Sequence, residues 1–147
     1  VPELKLEEVR CRVYRGETVR LTGEARSLSY RRDTGEVRAA DLGALLLGGD
    51  GPPAELAAPF GEGRLDERTF TVRGGVRVVR GEDVARTERA AWDAGGSGGG
   101  LVTGDRPVTV EGRGYRLDGT GFTLDPAAGE LSIHGAARLE ARAAGSP

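Results

Sequence analysis

His134 is the only histidine in the chain, and a serine, Ser132, stands two residues before it. A Ser-His-Asp relay is formally open to this pair, or to Ser29 with His134, but no Gly-x-Ser-x-Gly elbow presents either serine as a nucleophile. A single histidine without spaced cysteines also falls short of a structural zinc set. Paired carboxylates could run glycoside hydrolysis. The acids that recur, however, are Asp33, Asp66, Asp93 and Asp125, each before or within a turn. Aspartates in that position usually cap local amides. The glycine run Gly95–Gly100 could suggest a phosphate loop, but no Lys-Ser/Thr follows it, so it reads as a flexible turn. No catalytic set, metal or cofactor is expected from these residues.

The elements that would position such groups repeat instead. Four stretches run from a polar segment through a turn into an alternating apolar strand. Val37, Phe70, Leu101 and Leu131 anchor them, at intervals of about 30 residues. Phe70, Val72, Gly74, Val76 and Val78 share one parity, and Leu131, Ile133, Gly135, Ala137 and Leu139 repeat it. Period-two alternation gives a strand one apolar and one wetted face. Val9, Cys11 and Val13 lead through a hairpin at Tyr14–Thr18 to Val19, Leu21, Gly23 and Ala25. Glu82–Trp92 has helical composition but is flanked by strand pattern, so it is expected to be extended. Gly112–Gly114 and Gly119–Gly121 break the parity and predict bulges or crossings between sheets. Pro107 predicts a strand start or edge. Gly48–Ala54 reads as a loop.

Composition sets the scale. The 147 residues suit one domain, and 25 glycines are spread over turns. Leu, Ile, Val and Phe make up about a fifth of the chain, which predicts a thin, elongated core. Net charge is −2, and all but Lys5 of the 21 basic residues are arginine. The charges form no basic stripe in sequence, so nucleic acid is not an expected partner. Cys11, in phase with Val9 and Val13, reads as a small buried hydrophobe. Trp92, Phe122, Phe70 and Tyr30 read as core. The expected architecture is all-β and antiparallel, with a dozen or more short strands. Its apolar faces either close into a core or splay into a trough for acyl chains.

The second half adds a resemblance. Thr87, Trp92-Asp93, then Asp105-Arg-Pro107-Val108-Thr-Val110, then Gly119-Thr-Gly121-Phe122-Thr-Leu-Asp125 follow in order. A closing Leu131-Ser-Ile133-His-Gly135-Ala-Ala-Arg-Leu139 comes after them. This series resembles the LptC family and the related LptA/OstA-like proteins, and Ala57-Ala-Pro59 with Gly74-Gly75-Val76 is similar to an earlier copy of the same repeat. The resemblance implies a twisted, V-shaped β-jellyroll spanning the whole chain, 1–147. It also implies a periplasmic, non-catalytic bridge for lipopolysaccharide, anchored to the inner membrane by an N-terminal helix. The chain opens Val1-Pro2-Glu3 without that helix, which fits a trimmed N-terminus.

Lipid would pass from an inner-membrane ABC transporter of the LptB–LptF–LptG type to an LptA-like protein. On that reading Val72, Val76, Val78, Val108, Val110, Leu117, Phe122, Leu124, Ile133 and Leu139 line an acyl-chain groove. Val9, Cys11 and Val13 would meet the transporter. Leu131, Ile133, Ala137 and Leu139 would join the LptA-like protein by strand addition. LptC and LptA are not separated by these motifs. A structural β-repeat with a closed core and an enzyme with a carboxylate pair at the turns are the other readings.

Overall fold

The computed structural model describes residues 3–47, 52–93, 100–125 and 128–141. The Gly95–Gly100 run lies outside them except for Gly100, as do residues 48–51 of the Gly48–Ala54 loop. Twelve strands are present among the described residues. Six are long: β1 (Glu3–Arg15), β2 (Thr18–Arg31), β3 (Glu36–Leu46), β4 (Ala54–Arg64), β5 (Thr69–Arg80) and β6 (Asp83–Asp93). Six are short: β7 (Leu101–Gly104), β8 (Val108–Gly112), β9 (Tyr115–Gly119), β10 (Gly121–Asp125), β11 (Glu130–His134) and β12 (Arg138–Ala141). All pairings are antiparallel, so the protein is an all-β, jellyroll-like fold. The segment of helical composition is β6, as its flanks imply. The expectation of short strands throughout is wrong for β1–β6, because each runs through two hydrophobic layers.

A crease divides these long strands. It follows Glu8 in β1, Arg26 in β2, Asp41 in β3, Pro59 in β4, Gly74 and Gly75 in β5, and Glu88 in β6. Glu8, Asp41, Gly74 and Gly75 have positive φ, and the β4–β5 and β5–β6 registers shift at this line. In β1 the apolar parity changes there from Leu4 and Leu6 to Val9 and Cys11. In β3 it changes from Val37 and Ala39 to Leu42, Ala44 and Leu46. Extra or left-handed residues in a strand bend it and re-aim its side chains. At β6 the sheet forks: Val84–Thr87 pair with β8, and Ala91–Asp93 pair with β7. One layer continues β6-β8-β9-β12 and the other β6-β7-β10-β11.

The chain crosses between layers twice, side by side. Gly119–Gly121 carries it from β9 to β10, and Gly135–Ala137 carries it from β11 to β12. Thr120 N donates to His134 O at 2.9 Å, and the Thr120 side chain fills the space where a Cβ on Gly135 (φ 83°) would stand. The crossing expected at Gly119–Gly121 is therefore present. Gly112–Gly114 is instead the turn of the β8–β9 hairpin, with Gly114 at φ 79°. Pro107 directly precedes β8, and its carbonyl accepts from the buried Thr87 hydroxyl at 2.9 Å. That bond joins two of the motifs that carry the family resemblance.

The core lies between the layers. Leu21, Leu46, Leu56, Val76, Val78, Val108 and Val110 from one layer meet Val72, Val102, Phe122 and Leu124 from the other in a single cluster. The third repeat is anchored by Val102, which is wholly buried, rather than by Leu101, which is exposed. Val102 sits opposite both Trp92 and Leu124, in the inward row.

Candidate functional site

Two apolar rows run the full width of the sheet. In the layer ending at β12, successive partners are Cys11, Gly23, Ala44, Leu56, Val78, Ala85, Val110, Leu117 and Leu139. In the layer ending at β11 they are Leu4, Tyr30, Val37, Gly63, Phe70, Trp92, Val102, Leu124 and Leu131. Every member of both rows is apolar apart from the Tyr30 hydroxyl, the Trp92 indole N–H and the Cys11 thiol. Residues opposite one another in a ladder share a face, so each row is an unbroken apolar line from one sheet edge to the other.

The centre of these lines is sealed and their ends are exposed. Of the ten residues expected to line a groove, Val72, Val76, Val78, Val108, Val110, Phe122 and Leu124 are buried core. Leu117 and Ile133 are partly buried against that core, and Leu139 is 62% exposed. At the opposite edge Leu4 is 40% and Leu6 46% exposed. Cys11 is exposed as well, which corrects the expectation of a buried thiol. It lies on β1, beyond which no described strand continues the ladder. Partial desolvation nevertheless pushes its pKa up. Val9 is half-buried, and Val13, also on β1, sits opposite Leu21 of β2.

The closing segment departs from expectation. It is not one strand from Leu131 to Leu139. Leu131 and Ile133 belong to β11, Leu139 belongs to β12 in the other layer, and Ala137 lies between them. Gly135 turns the chain there, and Ala137 N donates back to Gly135 O at 2.8 Å. Among the described residues three open edges therefore remain: β1, β11 and β12. Such edges carry unpaired backbone donors and acceptors.

Arg80 ties the far margins of the two layers. Arg80, at the end of β5, donates from Nη1 to Gly129 O in the β10–β11 turn at 2.7 Å. Its Nε reaches Pro52 O at 3.3 Å. Arg80 thus spans the mouth between the layers. No local signal in the sequence marks it, because both acceptors are backbone carbonyls far away along the chain.

A cleft of about 980 Å³ opens on the opposite, outward side of the same sheet. It is lined by two complete outward rows of β1–β5: Arg10, Glu24, Gly43, Ala57 and Arg77, then Arg12, Thr22, Leu45, Glu55 and Val79. Gly43 and Ala57 form the low floor. Between these rows the cleft also touches Cys11, Gly23, Ala44 and Leu56 of the interior row, so only the thickness of the sheet parts it from the apolar interior.

The polar candidates are dispersed. His134 is exposed on β11, with Nε2 2.8 Å from the Thr123 hydroxyl. Ser132 faces Thr123 across the ladder, and Ser29 lies on β2 opposite Lys5 and Arg38. Asp33 and Asp66 occupy neighbouring turns at one margin, each held by the arginine two residues before it, at 3.1 and 3.0 Å. Those hydrogen bonds hold both carboxyls below the usual range. Asp125 accepts from Ala128 N at 3.2 Å, as a turn-capping carboxylate does. Asp93 ends β6 opposite Thr69 and Leu101. The described residues contain no group of three or more His, Cys, Asp or Glu able to hold a metal. No described helix is long and apolar enough to cross a membrane, which leaves β-barrel spans unaddressed.

Fold and site together define a class: a two-layered antiparallel jellyroll whose apolar interior surfaces at its terminal edges. The chain matches no protein-family model and no curated protein.

Proposed function

We propose that this protein is a non-catalytic bridge that conducts lipopolysaccharide through the periplasm. It would receive lipid from an inner-membrane ABC transporter and pass it to an LptA-like partner. The observation that carries this reading is the pair of unbroken apolar rows, exposed at β1 and again at β11 and β12. Strand addition at those edges would splice the rows of successive proteins into one apolar line. The order of motifs from Thr87 to Leu139 supports the same reading, and it agrees equally with an LptC-like and an LptA-like member. Acyl chains would enter between the layers, beside Val78 and Phe122, and transport energy would come from the ATPase partner.

The burial of seven of the ten groove candidates favours a second reading, a structural β-module whose interior stays closed. Photo-crosslinking amino acids at Val78 and Phe122, with lipopolysaccharide and the transporter present, separate the two. Capture of lipopolysaccharide at both positions is expected. Crosslinks only within the protein would establish the closed module.

A further inference from the structure

The outward face of β5 and β6 places like charges against each other. Arg73 stands directly opposite Arg89, and Arg77 directly opposite Arg86. All four are exposed. Like charges in facing ladder positions repel, with opposed side chains about 5 Å apart at Cβ. Elsewhere the same outward row avoids this, since Asp118 faces Arg138. Among the described residues none of the four arginines makes an ion pair, whereas Arg26, Arg31, Arg64, Arg116 and Arg138 all do. Acidic side chains near them are few: Glu88 on the crease itself, Glu55 and Glu62 on the flanking β4, and Glu111 on β8, which is already paired with Arg116.

The crease gives this cluster its shape. The sheet folds around the core along that line, so its outer side is a ridge with Arg73 and Arg89 on one flank and Arg77 and Arg86 on the other, where Arg77 also edges the outward cleft. Phe60 faces Arg73 on the same side, is 51% exposed, and lies 5.8 Å from the Arg73 guanidinium. A ridge of unpaired guanidinium groups around an exposed ring fits a flat, anionic, partly apolar surface. Guanidinium forks match phosphate oxygens, and an aromatic ring suits the boundary between headgroups and acyl chains.

We propose that the β5–β6 ridge is a docking surface for an anionic phospholipid bilayer. Arg73, Arg77, Arg86 and Arg89 meet headgroup phosphates, and Phe60 inserts among them. The site lies across the sheet from the apolar interior, so it acts independently of any lipid carried there. Membrane phosphates supply the counter-charge that the fold omits, which relieves the facing repulsion on binding.

Co-sedimentation with phosphatidylcholine vesicles, with and without phosphatidylglycerol, tests this. The unaltered protein is expected to bind only the anionic vesicles, and to release them as salt rises. Each arginine lost should weaken binding about five-fold, so Arg73→Gln with Arg89→Gln should weaken it by roughly 25-fold. Arg32→Gln with Arg113→Gln changes net charge equally and should leave binding within about two-fold. Arg77→Glu creates a facing pair with Arg86. It should lose vesicle binding more than ten-fold while melting no lower than the parent. The proposal is overturned by equal binding to neutral vesicles, by no binding at all, or by equal losses in the two double variants. Competition by millimolar inorganic phosphate, or tighter capture of polyglutamate than of anionic vesicles, would overturn it too.

Discussion

Tyr115 and Thr87 show how single polar groups hold this thin core in register. The Tyr115 hydroxyl donates to Asp83 Oδ1 at 2.6 Å, joining the start of β9 to the start of β6. Desolvation, followed by that hydrogen bond and the Asp83 charge, pushes the Tyr115 pKa up to about 12 from an ordinary 10.0. The folded state therefore favours the neutral phenol. Its contribution is fully present below the unfolded pKa and is lost as pH rises from about 10 to about 12. An ultraviolet tyrosinate titration of the three tyrosines should show one late-ionising group. Asp83→Asn should bring that group to lower pH, and a late phase unchanged in this variant would assign it to another tyrosine. Thr87 is a buried polar residue of the core, and its hydroxyl satisfies Pro107 O. Thr87→Val keeps the shape but strands that carbonyl, at an expected cost of about 1–3 kcal/mol in urea denaturation. A loss below about 0.5 kcal/mol would mean that the carbonyl finds another donor.

At the scale of elements, the crease decides which side of each strand is inside. Alternation within β5 was plain from Val72, Val76 and Val78, and so were the turns at Asp33 and Asp66. Strand identity, turn positions and most core residues follow from such local patterns. The crease was not legible, because Glu8, Asp41 and Glu88 are ordinary surface residues in sequence and only facing strands show that their irregularities align. The same limit hid the break at Gly135, where the period continues through Ala137 and Leu139 although the chain changes layers. It also hid the arginine pairs, whose members sit nine and sixteen residues apart along the chain and meet only through the β5–β6 register. Backbone strain at the crease can be measured directly. Gly75 has φ 104° and open space around its Cβ position, so Gly75→Ala meets no steric neighbour and reports conformation alone. It should destabilise by about 1–3 kcal/mol. Arg68, at φ 55° in the β4–β5 turn, is the converse case, and Arg68→Gly should stabilise by about 1 kcal/mol. Urea midpoints check both, and an Arg68→Gly variant less stable than the parent would contradict the strain argument.

The whole molecule poses a tension between closure and access. Its interior is sealed at Val76, Val102, Val110 and Phe122, each at most 2% exposed, yet the proposed function needs acyl chains to reach those side chains. The two layers are continuous along the crease and can part only at the opposite margin. Arg80 bridges that margin through Gly129 O and Pro52 O, and a Cβ on Gly129 would crowd its guanidinium at 2.8 Å. A charge-assisted bond to a backbone carbonyl contributes about 1.5–3 kcal/mol when well formed, enough to hold a mouth shut but small enough for a lipid's buried apolar area to offset. Breaking this strut should therefore ease opening without unfolding the core. Arg80→Ala is expected to increase binding of an apolar fluorescent dye several-fold under native conditions. It should also increase lipopolysaccharide crosslinking at Phe122, while far-ultraviolet circular dichroism keeps its strand signature. Arg80→Lys can reach one carbonyl but not both in the fork geometry, so its behaviour should fall between the two. If Arg80→Ala lowers stability but leaves dye binding and crosslinking unchanged, the arginine only braces the turn, and lipid entry must begin at the exposed ends beside Leu4, Leu131 and Leu139.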